Sequence, residues 1–145
     1  MDLPLEELLP WRHPFVMIDR MIECVPHQHI TTEKVVDGTD LAGVSHRRGQ
    51  HGFAGAMVLE GMNQSAALLY QMTYGKFEPE KVPLLGYLTA EFHDMAGPGD
   101  SIRFNVRAVK MTPTHGLFEG EAQVSGRTLA RSELAFAVVS ERSEP

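Results

Sequence analysis

Apolar and polar residues alternate most cleanly toward the end of the chain. In residues 101–110, Ile102, Phe104, Val106 and Ala108 are separated by Arg103, Asn105 and Arg107. A period of two sends successive side chains to opposite faces, so this segment is a strand with one face buried. Residues 117–124 repeat the habit, setting Phe118, Gly120, Ala122 and Val124 against Glu119, Glu121 and Gln123. The two polar faces carry opposite charge. Arg103 or Arg107 facing Glu119 or Glu121 would make favourable cross-strand pairs, which predicts an antiparallel hairpin. A last strand over residues 127–139 follows the Ser125-Gly126 turn, and residues 86–93 supply another before the turn Gly97-Pro98-Gly99-Asp100.

Residues 54–74 change period. Met57, Val58, Met62, Ala66, Leu69 and Met72 fall mostly three to four apart, with further apolar residues on the flanks. A helix apolar nearly all round must be wrapped by protein. Earlier, Phe15 to Val25 and Ile30 to Val36 read as two strands on either side of the polar break Pro26-His27-Gln28-His29, and Leu5 to Leu9 as a short helical lead-in stopped by Pro10. Residues 37–53 are rich in glycine and polar residues without a steady period, which predicts a long loop of the kind that usually serves function. One apolar helix cannot bury itself. An antiparallel sheet must curl around it, so the expectation is an α+β architecture in a single domain over residues 1–145.

Composition narrows the function classes. The 145 residues are 43% hydrophobic and 22% charged, as in ordinary globular domains. A net charge of -6 disfavours broad nucleic-acid binding, because phosphate backbones repel an acidic surface. The lone cysteine, Cys24, cannot form an intramolecular disulfide, and with no obvious activating neighbour it reads as a small core residue. The start of the chain is acidic where a signal peptide would be basic and then apolar, so a cytoplasmic location is expected. The apolar stretch 54–74 is interrupted by Glu60, Asn63, Gln64, Ser65, Gln71 and Thr73, which argues against a membrane span.

Glu60 is the only formally charged residue between Ala54 and Tyr74. A carboxylate on such a helix must be neutralised, hydrogen-bonded or placed at a cavity. Gln64 lies four residues on, hence on the same face, where its amide can orient the carboxyl. The pair is either a structural polar contact or a functional acid with a raised pKa. Upstream, the run Ser45-His46-Arg47-Arg48-Gly49-Gln50-His51-Gly52-Phe53-Ala54-Gly55 brings two histidines and three glycines to the start of the helix. Those histidines are solvated loop residues or a base that meets the carboxylate. Free N–H groups at a helix start can hold a carbonyl oxygen that gains negative charge. His27 and His29 could share a strand face, but no third metal ligand is evident. His93-Asp94 reads as a strand end, and Arg47 and Arg48 as a solvated loop or a contact for an acidic carrier.

These residues carry a resemblance that covers most of the chain. The run from Leu9 through Pro10, Trp11, Arg12, His13, Pro14 and Phe15 to Asp19-Arg20 is similar to the Leu-Pro-His-Arg-x-Pro-Phe-x-x-x-Asp-Arg opening of hotdog-fold 3-hydroxyacyl-acyl-carrier-protein dehydratases. Gly55 to Gln64 resembles that family's Pro-Gly-x-x-x-x-Glu-x-x-x-Gln helix start, Pro98-Gly99-Asp100 its Pro-Gly-Asp turn, and Gly116 to Val139 its final hairpin. The resemblance implies the hotdog fold, in which the sheet wraps one long helix. It implies dehydration of a 3-hydroxyacyl group carried on acyl carrier protein or CoA, with no cofactor and no metal. It carries over Glu60 and Gln64 directly and places the base at His46, fourteen residues before Glu60. His46-Arg47-Arg48 and Ala54-Gly55 stand where the family has His-Phe-Pro and Pro-Gly. His51, nine residues before Glu60, matches the arrangement of divergent aryl-polyene-type members and competes for the same role.

In that family the histidine and glutamate that meet belong to opposite subunits, so the resemblance implies a homodimer or higher homo-oligomer. The N–H near Gly55 would hold the enolate oxygen, and Phe53, Met57 and Met62 would line the acyl channel unless they are plain core. Two other functions fit the same residues. One is an acyl thioesterase on the same fold, which needs only Glu60, and the other is a non-catalytic acyl-binding partner of an active dehydratase.

Overall fold

The computed structural model describes residues 5–9, 16–37 and 55–141. Among the described residues two helices and six strands follow in the order α1 (Leu5–Leu8), β1 (Arg20–Val25), β2 (His29–Val35), α2 (Gly55–Tyr74), β3 (Lys81–Phe92), β4 (Ser101–Met111), β5 (His115–Val124) and β6 (Arg127–Ser140). The strands form one antiparallel sheet in the order β1-β2-β4-β5-β6-β3. Between β2 and β3 the chain crosses from one side of the sheet to its far edge, and α2 lies on that path. The sheet-and-helix architecture expected from the pattern is the one observed. Among the described residues no helix is long and apolar enough to cross a membrane.

The inward residues of the alternating strands make the core. Ile30, Ile102, Phe104, Phe118, Leu129 and Leu134 are buried against Met62, Leu68 and Leu69 of α2. Two contacts explain how closely the helix lies on the sheet. A Cβ on Gly61 would stand 2.3 Å from the Phe104 ring, and one on Gly120 would stand 2.7 Å from the Met62 sulfur. Only glycine allows such an approach. Polar sutures fix the register: Thr32 Oγ1 and Ser65 Oγ are 2.8 Å apart, and the Ser65 hydroxyl donates to the Gly61 carbonyl at 2.7 Å. The helix ends at Gly75, whose φ of 102° and N–H bond to the Gln71 carbonyl at 2.8 Å form a left-handed cap.

The hairpin charge pairing is partly as expected. Arg107 faces Glu119 and is ion-paired with it. Arg103 instead faces Gln123, and its guanidinium turns to Glu33 on β2 at 3.9 Å, while Glu121 pairs with Arg131 on β6 at 2.9 Å. The first strand begins at Arg20 rather than Phe15; residues 16–19 precede it without regular structure, and Phe15 lies outside the described residues. β3 begins at Lys81, earlier than expected at Gly86. Pro83 and Gly86 hide the strand in the sequence, but β3 is an edge strand, where a missing N–H is tolerated. Gly86 falls where the register shifts between Leu85 and Tyr87.

Candidate functional site

α2 places Glu60 and Gln64 one turn apart. Gln64 is completely buried, and its Oε1 accepts a hydrogen bond from the Met17 backbone N–H at 2.8 Å. That acceptor role fixes the amide orientation, so Nε2 must be the group that faces Glu60. It donates to Glu60 Oε1 at 3.2 Å. The segment leading into β1 therefore holds the glutamine, and the glutamine holds the acid. Pattern reading found the glutamine–glutamate pair from its spacing of four. It missed Met17, which lies 47 residues from Gln64 in sequence and bonds through its main chain.

Glu60 itself is half-buried. Burial pushes its carboxyl above the usual glutamate range, and hydrogen bonds from Gln64 and Asn63 oppose that shift. Both partners are neutral amides, so neither cancels the charge. A carboxyl in this state keeps its proton to higher pH than a solvated one and can still give it up. Around it, Ala56 is exposed and Met57 and Leu59 are half-buried, so the first turns of α2 remain open on one side in the isolated protomer. From Gly61 onward the helix is largely enclosed.

The remaining expected site residues divide. His46, His51 and Phe53 lie outside the described residues, as do Arg47 and Arg48. Gly55 is the first residue of α2, where the N–H groups of the opening turn have no partner within the helix. Met57 packs half-buried against the core. Met62, expected to line an acyl channel, is wholly enclosed with its sulfur over Gly120, so core packing already accounts for it. His27 and His29 do not converge. The His27 ring meets Tyr74 edge-on at 5.7 Å, and His29 Nε2 lies 2.6 Å from Glu23 Oε1. Among the described residues no three histidine, cysteine or acidic side chains form a metal-binding group. Cys24 is half-buried, and burial raises its thiol pKa.

One residue near the helix start escaped the sequence reading. Phe92, the last residue of β3, lays its ring across Gly55. Beside it an apolar cleft of about 310 Å³ is walled by Val58, Met95, Leu129 and Ala130.

A family model described as a FabA-like domain matches residues 9–133. The chain belongs to the FabA-like family. Its relatives include the 3-hydroxyacyl-[acyl-carrier-protein] dehydratase FabZ of Symbiobacterium thermophilum, 34% identical over 137 residues that cover 92% of this chain and 93% of the relative. The FabZ of Enterococcus faecalis is 26% identical over 134 residues, covering 92% and 94%. Among solved structures, the dehydratase heterocomplex ApeI:P from Xenorhabdus doucetiae matches with a TM-score of 0.79 at 15% identity, over 97% of this chain and 93% of that one. A hypothetical thioesterase with coenzyme A from Streptococcus pneumoniae matches with a TM-score of 0.65 at 11% identity, over 86% and 88%. At these identities the structural likeness shows the fold, and it is the hotdog fold that the FabA-like resemblance implied.

Proposed function

We propose that this chain removes water from a 3-hydroxyacyl thioester to give the trans-2-enoyl thioester, with Glu60 as the acid at the 3-hydroxyl. The observation that carries this reading is the half-buried Glu60 carboxyl, raised in pKa and aimed by a glutamine that is itself fixed. A thioesterase base has to be ionised to activate water, whereas a leaving hydroxyl needs a proton. At any given pH the raised pKa leaves more of the Glu60 carboxyl protonated, the form that a leaving hydroxyl needs.

The reaction balances with the chain's own groups. A histidine base, His46 or its competitor His51, takes a proton from C2. The electron pair of that C–H bond becomes the C2=C3 double bond as the C3–O bond breaks. Glu60 supplies the proton that lets the hydroxyl leave as water, and the histidinium later returns a proton to Glu60. N–H groups at the start of α2, near Gly55, hold the thioester oxygen while it carries negative charge. The carrier is acyl carrier protein, as in the relatives' name, or CoA, and the reaction belongs to fatty-acid or polyene-type synthesis in the cytoplasm.

The reading also calls for a homodimer. β3 is an edge strand, and Leu84, Leu85, Tyr87, Leu88 and Phe92 on it are all exposed in the protomer. An edge of this kind is a template for pairing with a second copy. Such a junction continues the sheet and brings the two helix starts toward a shared site.

Incubation with a 3-hydroxyacyl pantetheine thioester tests the reading through its product. The enoyl thioester is the expected product, and Glu60→Gln, nearly the same size, should fold normally and lose turnover. His46→Ala should lose about two to four orders of magnitude in rate and His51→Ala far less; the reverse ranking moves the base to His51. Release of free acid would instead identify a thioesterase. An inert wild-type protein would point to a non-catalytic partner subunit.

A further inference from the structure

Phe92 ends β3 directly over the start of α2. A Cβ built on Gly55 would lie 2.7 Å from Phe92 Cε1, 3.1 Å from Cζ and 3.2 Å from Cδ1. The ring therefore covers the α-carbon of the first helical residue. Its backbone partner across β3 and β6 is Ala130, which is buried, so the side chain points to the helix side of the sheet. Yet 54% of Phe92 is exposed. A ring so exposed on the sheet's inner face at the open edge contributes little to the core, and it lies directly against the helix start.

We propose that Phe92 is a positioning residue for the N–H groups at the start of α2, and that Gly55 is glycine so that the ring can lie there. The inference rests on the dehydration reading, in which those N–H groups hold the enolate oxygen. Hydrogen bonds to a developing charge strengthen when water is kept away from them. A side chain at residue 55 would normally shield this turn, and the Phe92 ring replaces it from the neighbouring strand. The ring also holds the first turn, which has no apolar anchor of its own at residue 55, against the end of β3. Because Phe92 belongs to the edge proposed as the dimer junction, pairing would cover the exposed half of the ring and complete the shield.

Turnover of a 3-hydroxyacyl pantetheine thioester by wild type, Phe92→Ala, Phe92→Leu, Gly55→Ala and the double variant Gly55→Ala/Phe92→Ala tests this. Phe92→Ala should lower kcat about ten- to a hundredfold, less than outright removal of an oxyanion donor, with KM within about twofold. Phe92→Leu, which keeps apolar bulk, should recover part of the loss. Gly55→Ala should act in the same direction, because its methyl displaces the far end of an exposed ring without deleting it. The double variant should be no worse than the poorer single one, since both act on one contact. Light scattering and thermal midpoints on the same samples separate the alternatives. Full kcat in Phe92→Ala overturns the inference, as do losses that multiply in the double variant. A loss that follows dissociation or unfolding in both Phe92→Leu and Gly55→Ala also overturns it. A wild-type protein that does not dehydrate the probe overturns the dehydration reading and this inference together.

Discussion

At the scale of single residues, Gln64 joins the stability of this protein to its chemistry. Its carbonyl oxygen is the acceptor for the buried Met17 N–H, and its amide steadies Glu60. Gln64→Leu keeps the volume but leaves the Met17 N–H without its acceptor, which should cost about 1–3 kcal/mol in denaturant unfolding. An unchanged midpoint would mean that the main chain finds another partner. Glu60 makes a different prediction. Because burial raises its pKa, the folded protein keeps the proton at pH values where the unfolded chain has released it. Stability therefore falls as pH rises through the interval between the unfolded and folded pKa values and levels off above the folded one. Glu60→Gln removes this slope, so the variant should gain on wild type as the pH rises above the ordinary glutamate pKa, until the wild-type curve levels off. Parallel stability curves would contradict the assignment. The spacing of Glu60 and Gln64 made their pairing legible from sequence, since four residues span one helical turn. Met17 and Phe92 were not legible, because each reaches the site through tertiary contact between segments distant in the chain.

Among the elements, the clean period-two strands were the easiest to read. β4 and β5 each have one buried face, and that asymmetry writes itself into the sequence as alternation. The beginning of β3 was hidden for the opposite reason. Its residues from Leu84 onward are exposed in the protomer, so no buried face imposes a rhythm on them. Register was only half legible, since the irregularity between Ala108 and Lys110 and the competing partners Glu33 and Arg131 decide which arginine meets which acid. For α2, the glycines separate two kinds of close contact. A methyl on Gly61 meets Phe104, which is fully buried and cannot move aside. Gly61→Ala should therefore destabilise by about 1–3 kcal/mol through overpacking, although alanine alone favours a helix by about 1 kcal/mol. Chemical denaturation would show it, and a stabilised variant would refute the packing argument. Gly55→Ala, which meets an exposed ring instead, should leave stability nearly unchanged.

For the whole molecule, the decisive question is what covers β3. Leu88 lies opposite Leu134 on the helix-facing side of the strand and is 41% exposed. Placing a cation there with Leu88→Lys should block pairing of two copies and abolish turnover while leaving each protomer folded. Light scattering should report at least a dimer for wild type at micromolar concentration and a monomer for the variant. A wild-type monomer with full activity would remove the shared site.

The edge also bears on how the chain behaves as a single protomer. Main-chain N–H and C=O groups do not read the side chains of what they bind, so an uncovered β3 is adhesive toward any extended segment. Pro83 and the irregularity at Gly86 interrupt the regular donor pattern at the beginning of that strand, leaving the stretch from Tyr87 to Phe92 as its uninterrupted part. Two copies that join there would cover each other's β3, whereas β1, the other edge of the sheet, would stay outside the junction. Recovery of soluble protein should then rise with the speed of that encounter, and slow, dilute synthesis without a copy nearby is the condition under which this fold is most exposed to aggregation.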